Sequence, residues 1–239
     1  MPFLFFDPMY FVFTIPAVLL ALFAQWRVSS AYKEYSEVAN ERNLTGLDVA
    51  RILMRNEGLD HVQVEVIPGH MTDHYDPSGK VMRLSEGSAR YPSVAAMAIV
   101  AHELGHAQQD KQGYVWLQVR SGIVGVANIG SQLGSLVLMG GIAFAAFFNG
   151  SLAMAWVGVL LMSAAVVFSL VTLPVEFDAS ARAREMLVRA GLMGSTQSQG
   201  GVGAVLNAAA LTYVAGAAQA VMQLLYWVFV LVGMNRDRE

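Results

Sequence analysis

Long uncharged runs alternate along this chain with two polar segments, and the runs are the length of membrane spans. Residues 8–26, between Asp7 and Arg27, carry no charge and are mostly Phe, Leu, Val and Ala. At 1.5 Å per residue they cover about 28 Å, enough to cross the hydrocarbon core as one helix. Neither a basic start nor a small-residue cleavage site is evident, so the segment reads as a retained anchor. From Ser121 to Val175 the sequence again carries no charge. One span needs about twenty residues, so this run predicts two helices, 122–147 and 152–173, joined by a turn at Asn149-Gly150-Ser151. A fourth span is predicted over 209–233. Gly130 and Gly134 form a small-xxx-small pair, and Asn128 with Gln132 and Gln219 with Gln223 each lie four apart; all are expected at helix–helix contacts.

The polar segment 27–120 has a different pattern. Thr45-Gly46 opens a helix that ends at Gly58. Val62, Val64 and Val66 alternate as in a strand, stopped by Pro68-Gly69, and Lys80 to Ser85 is a second strand candidate after the Asp76-Pro77-Ser78-Gly79 turn. Tyr91-Pro92-Ser93 is a stop followed by an N-cap, and the helix it opens is predicted over 93–110. A charged helix over 174–190, with Pro174 in its first turn, and a Gly/Ser/Gln-rich loop over 191–208 complete the chain. The fold class expected is a mainly α membrane protein, four transmembrane helices with a small cytoplasmic α+β unit.

Composition sharpens this in three ways. Charged residues make up 14% of the chain, against about 25% in ordinary soluble domains, which places much of it in lipid. The net charge of −3 gives no reason to expect a nucleic-acid partner. The absence of cysteine removes thiolate ligands, so any metal site must be built from His and carboxylate. Thirteen of the fifteen Lys and Arg lie in residues 27–120 and 174–203. Basic loops stay on the cytoplasmic side, which puts both polar segments inside and the 149–151 turn outside. The tail, with Arg236 and Arg238, falls outside by count.

The chemistry sits on the 93–110 helix. His102-Glu103-Leu104-Gly105-His106 is a His-Glu-x-x-His motif. Residues four apart on a helix share a face, so the two imidazoles can hold one Zn²⁺, while Glu103 can reach an activated water as general base. A catalytic zinc wants a third protein ligand. Candidates are Glu176, Asp178, Asp73, Asp76, His70 and His74. Glu176 is attractive because its helical face continues through Ala179, Ser180, Ala183 and Leu187, small near the carboxylate, so that a second helix can approach closely. A helix N-terminal acid stabilised by the macrodipole explains Glu176 equally well. An even number of spans separates it from His106 and returns it to the same face of the membrane. His70 and His74 are also four apart, but Pro68-Gly69 and Pro77 argue against a helix there and so against a second metal.

These residues resemble a known family. The His102–Gln109 stretch, Thr72-Asp73-His74-Tyr75-Asp76-Pro77, Leu84-Ser85-Glu86 and Glu176-Phe177-Asp178-Ala179-Ser180 are similar to the bacterial neutral zinc metallopeptidase family typified by YugP, over about residues 5–233. More distantly the chain looks like the HtpX and Ste24 membrane gluzincins. That resemblance implies Glu176 as third ligand, in a Glu-x-x-x-Asp pattern on a helix after two spans. Ser180 stands where those relatives have Asp, so the group that orients a ligand histidine is missing or comes from elsewhere, with Asp178 a candidate. The expected activity is peptide-bond hydrolysis with Zn²⁺ on His102, His106 and Glu176, Glu103 as base, and His74 or Tyr75 as candidate oxyanion donor. Lys80 to Ser85 is the strand expected to pair with an extended peptide. Membrane-protein quality control is implied by the HtpX likeness alone. The expected partners are a peptide or membrane-protein substrate and the lipid bilayer, with a homo-oligomer or a membrane partner protein as further options.

Two rivals are weighed against this. A site-2-type intramembrane protease needs its motif inside a span and a later Asp-Gly; here the motif runs into Gln108, Gln109, Asp110 and Lys111, and the chain has no Asp-Gly pair. A zinc-bearing membrane scaffold, with a structural or vestigial site, calls for four protein ligands instead of three.

Overall fold

The computed structural model describes residues 8–148 and 150–236. Asn149 of the expected turn, Asp7 and Arg238 lie outside the described residues. The chain forms two compact units. One comprises residues 8–23, 119–172 and 213–236, the other residues 24–118 and 173–212.

The first unit is helical. It draws on α1 (Pro8–Ser36), α5 (Val115–Phe148), α6 (Ala153–Arg189) and α7 (Thr196–Arg236), each long and apolar enough to cross a membrane. With these four helices and a small sheet, the protein is a mainly α membrane protein. Its apolar centre is Leu138, Ile142, Ala155, Val159 and Leu231. Close helix approach here depends on the absence of side chains. A Cβ on Gly134 would lie 2.8 Å from the Met162 amide nitrogen and 3.0 Å from the Gly158 carbonyl oxygen, so Gly134 packs backbone to backbone on α6. Tyr10 meets Tyr226 edge-on, with ring centroids 5.2 Å apart. Asn128, Gln132, Gln219 and Gln223 are exposed, so the helix contacts expected of these amides are not made within the unit.

The second unit wraps a sheet and short helices around one nearly buried helix. α2 (Gly46–Glu57) begins at a capping box in which Thr45 and Asp48 each satisfy the other's backbone N–H. Three strands follow: β1 (Gln63–Ile67), β2 (His74–Asp76) and β3 (Val81–Ser85), in the order β1-β3-β2. β1 runs parallel to β3, with Val64 opposite Met82, and β2 runs antiparallel to it, with Tyr75 opposite Met82. Arg83 on the middle strand ties the sheet together, its guanidinium meeting Glu65 on one side (2.9 Å) and Asp76 on the other (3.4 Å). The strand expected to receive a peptide is therefore corrected. β3 has both edges paired, and the sheet edges are β1 and β2.

A single turn of helix, α3 (Glu86–Arg90), leads to α4 (Val94–Lys111), capped by Ser93, whose hydroxyl accepts from the Ala96 amide at 3.1 Å. α4 is apolar on most sides, which is why it is buried almost throughout. Val100, Ala101 and Leu104 join Leu53, Met82, Leu84, Met186 and Leu187 in the core.

Two boundaries differ from expectation. The helix expected to start at 174 is the continuation of α6, which passes through Pro174 without a break. Proline removes one backbone donor from a helix; here the flanking turns are held by complete burial of Val175, Ala179 and Ala183. The expected 191–208 loop is mostly the start of α7. Its small and polar residues are interleaved with Val202, Val205, Leu206 and Ala208, which enter the core and override weak helix propensity.

Candidate metal centre

α4 presents His102 and His106 one turn apart, their ring centroids 4.8 Å from each other. α6 crosses α4 at Gly105. A Cβ there would lie 2.5 Å from the Ala179 carbonyl oxygen, so the two backbones touch. This contact brings the next turn of α6, with Glu176, over the imidazoles. The small face expected on that helix is indeed inward: Ala179, Ser180, Ala183 and Leu187 are all buried.

Glu176 Oε2 lies 3.2 Å from His102 Nε2 and 3.4 Å from His106 Nε2, and ligand atoms of all three fall within 4.8 Å of one another. A tetrahedral zinc with bonds of about 2.0–2.1 Å sets its ligand atoms about 3.3 Å apart. The spacing, the neutral-nitrogen and carboxylate donors and the burial fit a zinc ion. Of the six third-ligand candidates, Glu176 is the one that joins the histidines; this is the cluster able to hold a metal among the described residues.

Both imidazoles are held from behind. His102 Nδ1 lies 3.2 Å from Ser180 Oγ, so the serine itself reaches a histidine of the cluster. His106 Nδ1 lies 3.0 Å from Gln109 Oε1. Gln109 is fully buried, and its amide nitrogen donates to the Val175 carbonyl and to Asp178 Oδ2, each at 2.8 Å. Asp178 thus reaches a ligand histidine through Gln109 and is also paired with Arg182. Gln109 was not among the expected site residues; its position three after His106, on the same helical face, was the available signal.

Glu103 is buried beside the cluster, 8% exposed. Burial raises its pKa to about 7; Glu176 and Asp73 push the same way, and His102 and the Tyr75 backbone amide oppose them. The remaining candidates lie on or near β2. Tyr75 is buried, and its hydroxyl donates to Asp110 Oδ2 at 2.6 Å, an oxygen that also receives Lys80 Nζ. Burial, then this hydrogen bond, push the Tyr75 pKa up, so the phenol stays protonated with its one proton engaged. His74 is exposed, its Nδ1 2.9 Å from the Thr72 carbonyl. His70 packs edge-on against Tyr32. Asp73 accepts from the Ser85 amide at 2.7 Å and Asp76 from the Ser78 amide at 2.9 Å, so both organise loops.

Residues 10–232 match the family described as "Putative neutral zinc metallopeptidase". The chain is also 41% identical over 230 residues to "Putative membrane protease YugP" of Bacillus subtilis (strain 168), covering 96% of this chain and 99% of that protein. No solved structure matches it. With the match running through both membrane-type helices and metal cluster, the chain belongs to the neutral zinc metallopeptidase family.

Proposed function

We propose that the protein is a membrane-embedded zinc endopeptidase of the gluzincin type, its site facing the cytoplasm of a bacterial cell and its substrates peptides or membrane proteins. The observation that carries this reading is the convergence of His102, His106 and Glu176 beside a buried Glu103. Those three side chains would hold a zinc ion, which would supply Lewis acidity to a scissile carbonyl and to the attacking water. Glu103 takes the proton from the attacking water and delivers it to the leaving amine. The carboxylate suits both tasks, because burial raises its affinity for a proton above that of an ordinary exposed carboxylate. Ser180 and Gln109 orient the two imidazoles so that Nε2 of each faces Glu176.

β2 is the sheet edge associated with the cluster, since the Tyr75 amide interacts with Glu103. An extended peptide pairing along this edge would gain affinity from its backbone with little sequence selectivity. Of the two oxyanion candidates, Tyr75 has its proton engaged with Asp110, and His74 turns Nδ1–H to the Thr72 carbonyl, so its Nε2 is a donor only when the ring is doubly protonated. Three protein donors among the described residues suit a catalytic zinc better than a structural one, which is usually closed by four.

The test is purified Glu103→Gln protein. It is expected to bind zinc as the wild type does and to lose cleavage of a casein or membrane-protein substrate by a factor of about 10²–10⁴. A variant that still cleaves at the wild-type rate removes Glu103 from the mechanism.

A further inference from the structure

The amide of Gln109 can sit only one way round, and this has a consequence for His106. Its nitrogen end faces two acceptors, the Val175 carbonyl and the Asp178 carboxylate, each at 2.8 Å. Neither can donate, so the reversed amide would set oxygen against oxygen twice in a fully buried position. The carbonyl oxygen of Gln109 is thereby locked 3.0 Å from His106 Nδ1. An acceptor at that distance requires Nδ1 to carry a proton, so in the neutral ring the lone pair is on Nε2, the nitrogen 3.4 Å from Glu176 Oε2. The same amide holds the peptide group just before Glu176. We propose that Gln109 is the positioning residue that assembles the metal centre, fixing His106 in the Nδ1–H tautomer while tethering the Glu176 segment of α6 to α4.

His102 is not held this way. Its Nδ1 meets a hydroxyl, which rotates and can either donate or accept. His106 is thus the imidazole presented for ligation before any metal arrives, and Asp178 acts on it through the glutamine.

This inference rests on the zinc reading above, and the experiment separates the two. The full-length protein in detergent is stripped of metal and titrated with zinc against a chromophoric chelator. Gln109→Leu is expected to weaken zinc binding about 10–100-fold, the range typical of groups that orient metal ligands. Gln108→Leu is the control. That neighbouring buried amide bonds Glu57 and Arg182 and makes no hydrogen bond to a ligand histidine among the described residues, so its zinc affinity should stay within about threefold of wild type. Equal effects of the two substitutions, or a Gln109→Leu affinity within threefold of wild type, overturn the assignment. Long-range ¹H–¹⁵N spectra of the metal-free wild type need no variant. They should show neutral His106 protonated at Nδ1; protonation at Nε2 or a tautomer mixture overturns it as well. Wild-type protein that takes up no zinc overturns the metal reading, and the assembly role with it, whatever the tautomer.

Discussion

At the residue scale, Glu103 is a carboxyl group kept in an expensive place. Its folded-state pKa of about 7 lies above the ordinary value of 4.5. Between those two values the folded metal-free protein binds more protons than the unfolded chain, so stability falls as pH rises through the window and the full penalty holds above it. Glu103→Gln carries no such charge. In the metal-free state it is expected to match wild type near pH 4 and to exceed it by about 2–3 kcal/mol above pH 7. Thermal unfolding of both proteins across pH 4–8 measures this, and a gap that does not change with pH would contradict it. Zinc should close the gap, because a bound cation favours the charged form. The His102–His106 pair was legible from spacing, since two histidines four apart had one geometry open to them on a helix. Spacing left Glu176 even with an ordinary helix N-terminal acid, and the family resemblance singled it out. Ser180 and Gln109 were harder, because a hydroxyl and an amide have many uses and only the packed structure shows which partner each has found.

At the element scale, the crossing of α4 and α6 determines whether the centre exists. Gly105 meets the Ala179 backbone directly, so Gly105→Ala must push the helices apart or bend one of them. The expected cost is about 1–3 kcal/mol of stability together with loss of zinc affinity, although no ligand is altered. Chelator competition and thermal unfolding check both halves; unchanged affinity would show that the crossing has slack. The small face of Ala179, Ser180 and Ala183 made this approach legible beforehand. What the sequence concealed was continuity. Pro174 and the Gly/Ser/Gln-rich stretch are local signals for breaks, and both were overridden by burial of their neighbours, Val175 in one case and Val202 to Leu206 in the other. The middle position of β3 was likewise hidden. Strand order depends on β2, a three-residue strand too short to announce itself by alternation.

At the scale of the whole molecule, four long apolar helices account for the uncharged runs, and the proposed orientation follows from the distribution of Lys and Arg. The natural chain contains no cysteine, so single introduced thiols report directly on sidedness. Asp60→Cys and Gln197→Cys, both at exposed positions, are expected to react with a membrane-impermeant maleimide only after cells are opened. Ser151→Cys, also exposed, should react on intact cells. Labelling of residue 60 or 197 from outside would invert the topology and move the site to the opposite face.

The donor set has one more effect. Thiolate sites lose their ions when sulfur is oxidised; imidazole nitrogens and a carboxylate offer no such sulfur. A centre made of His102, His106 and Glu176 would present peroxide with no thiolate to oxidise, so its metal affinity is expected to survive a peroxide treatment that strips thiolate zinc sites.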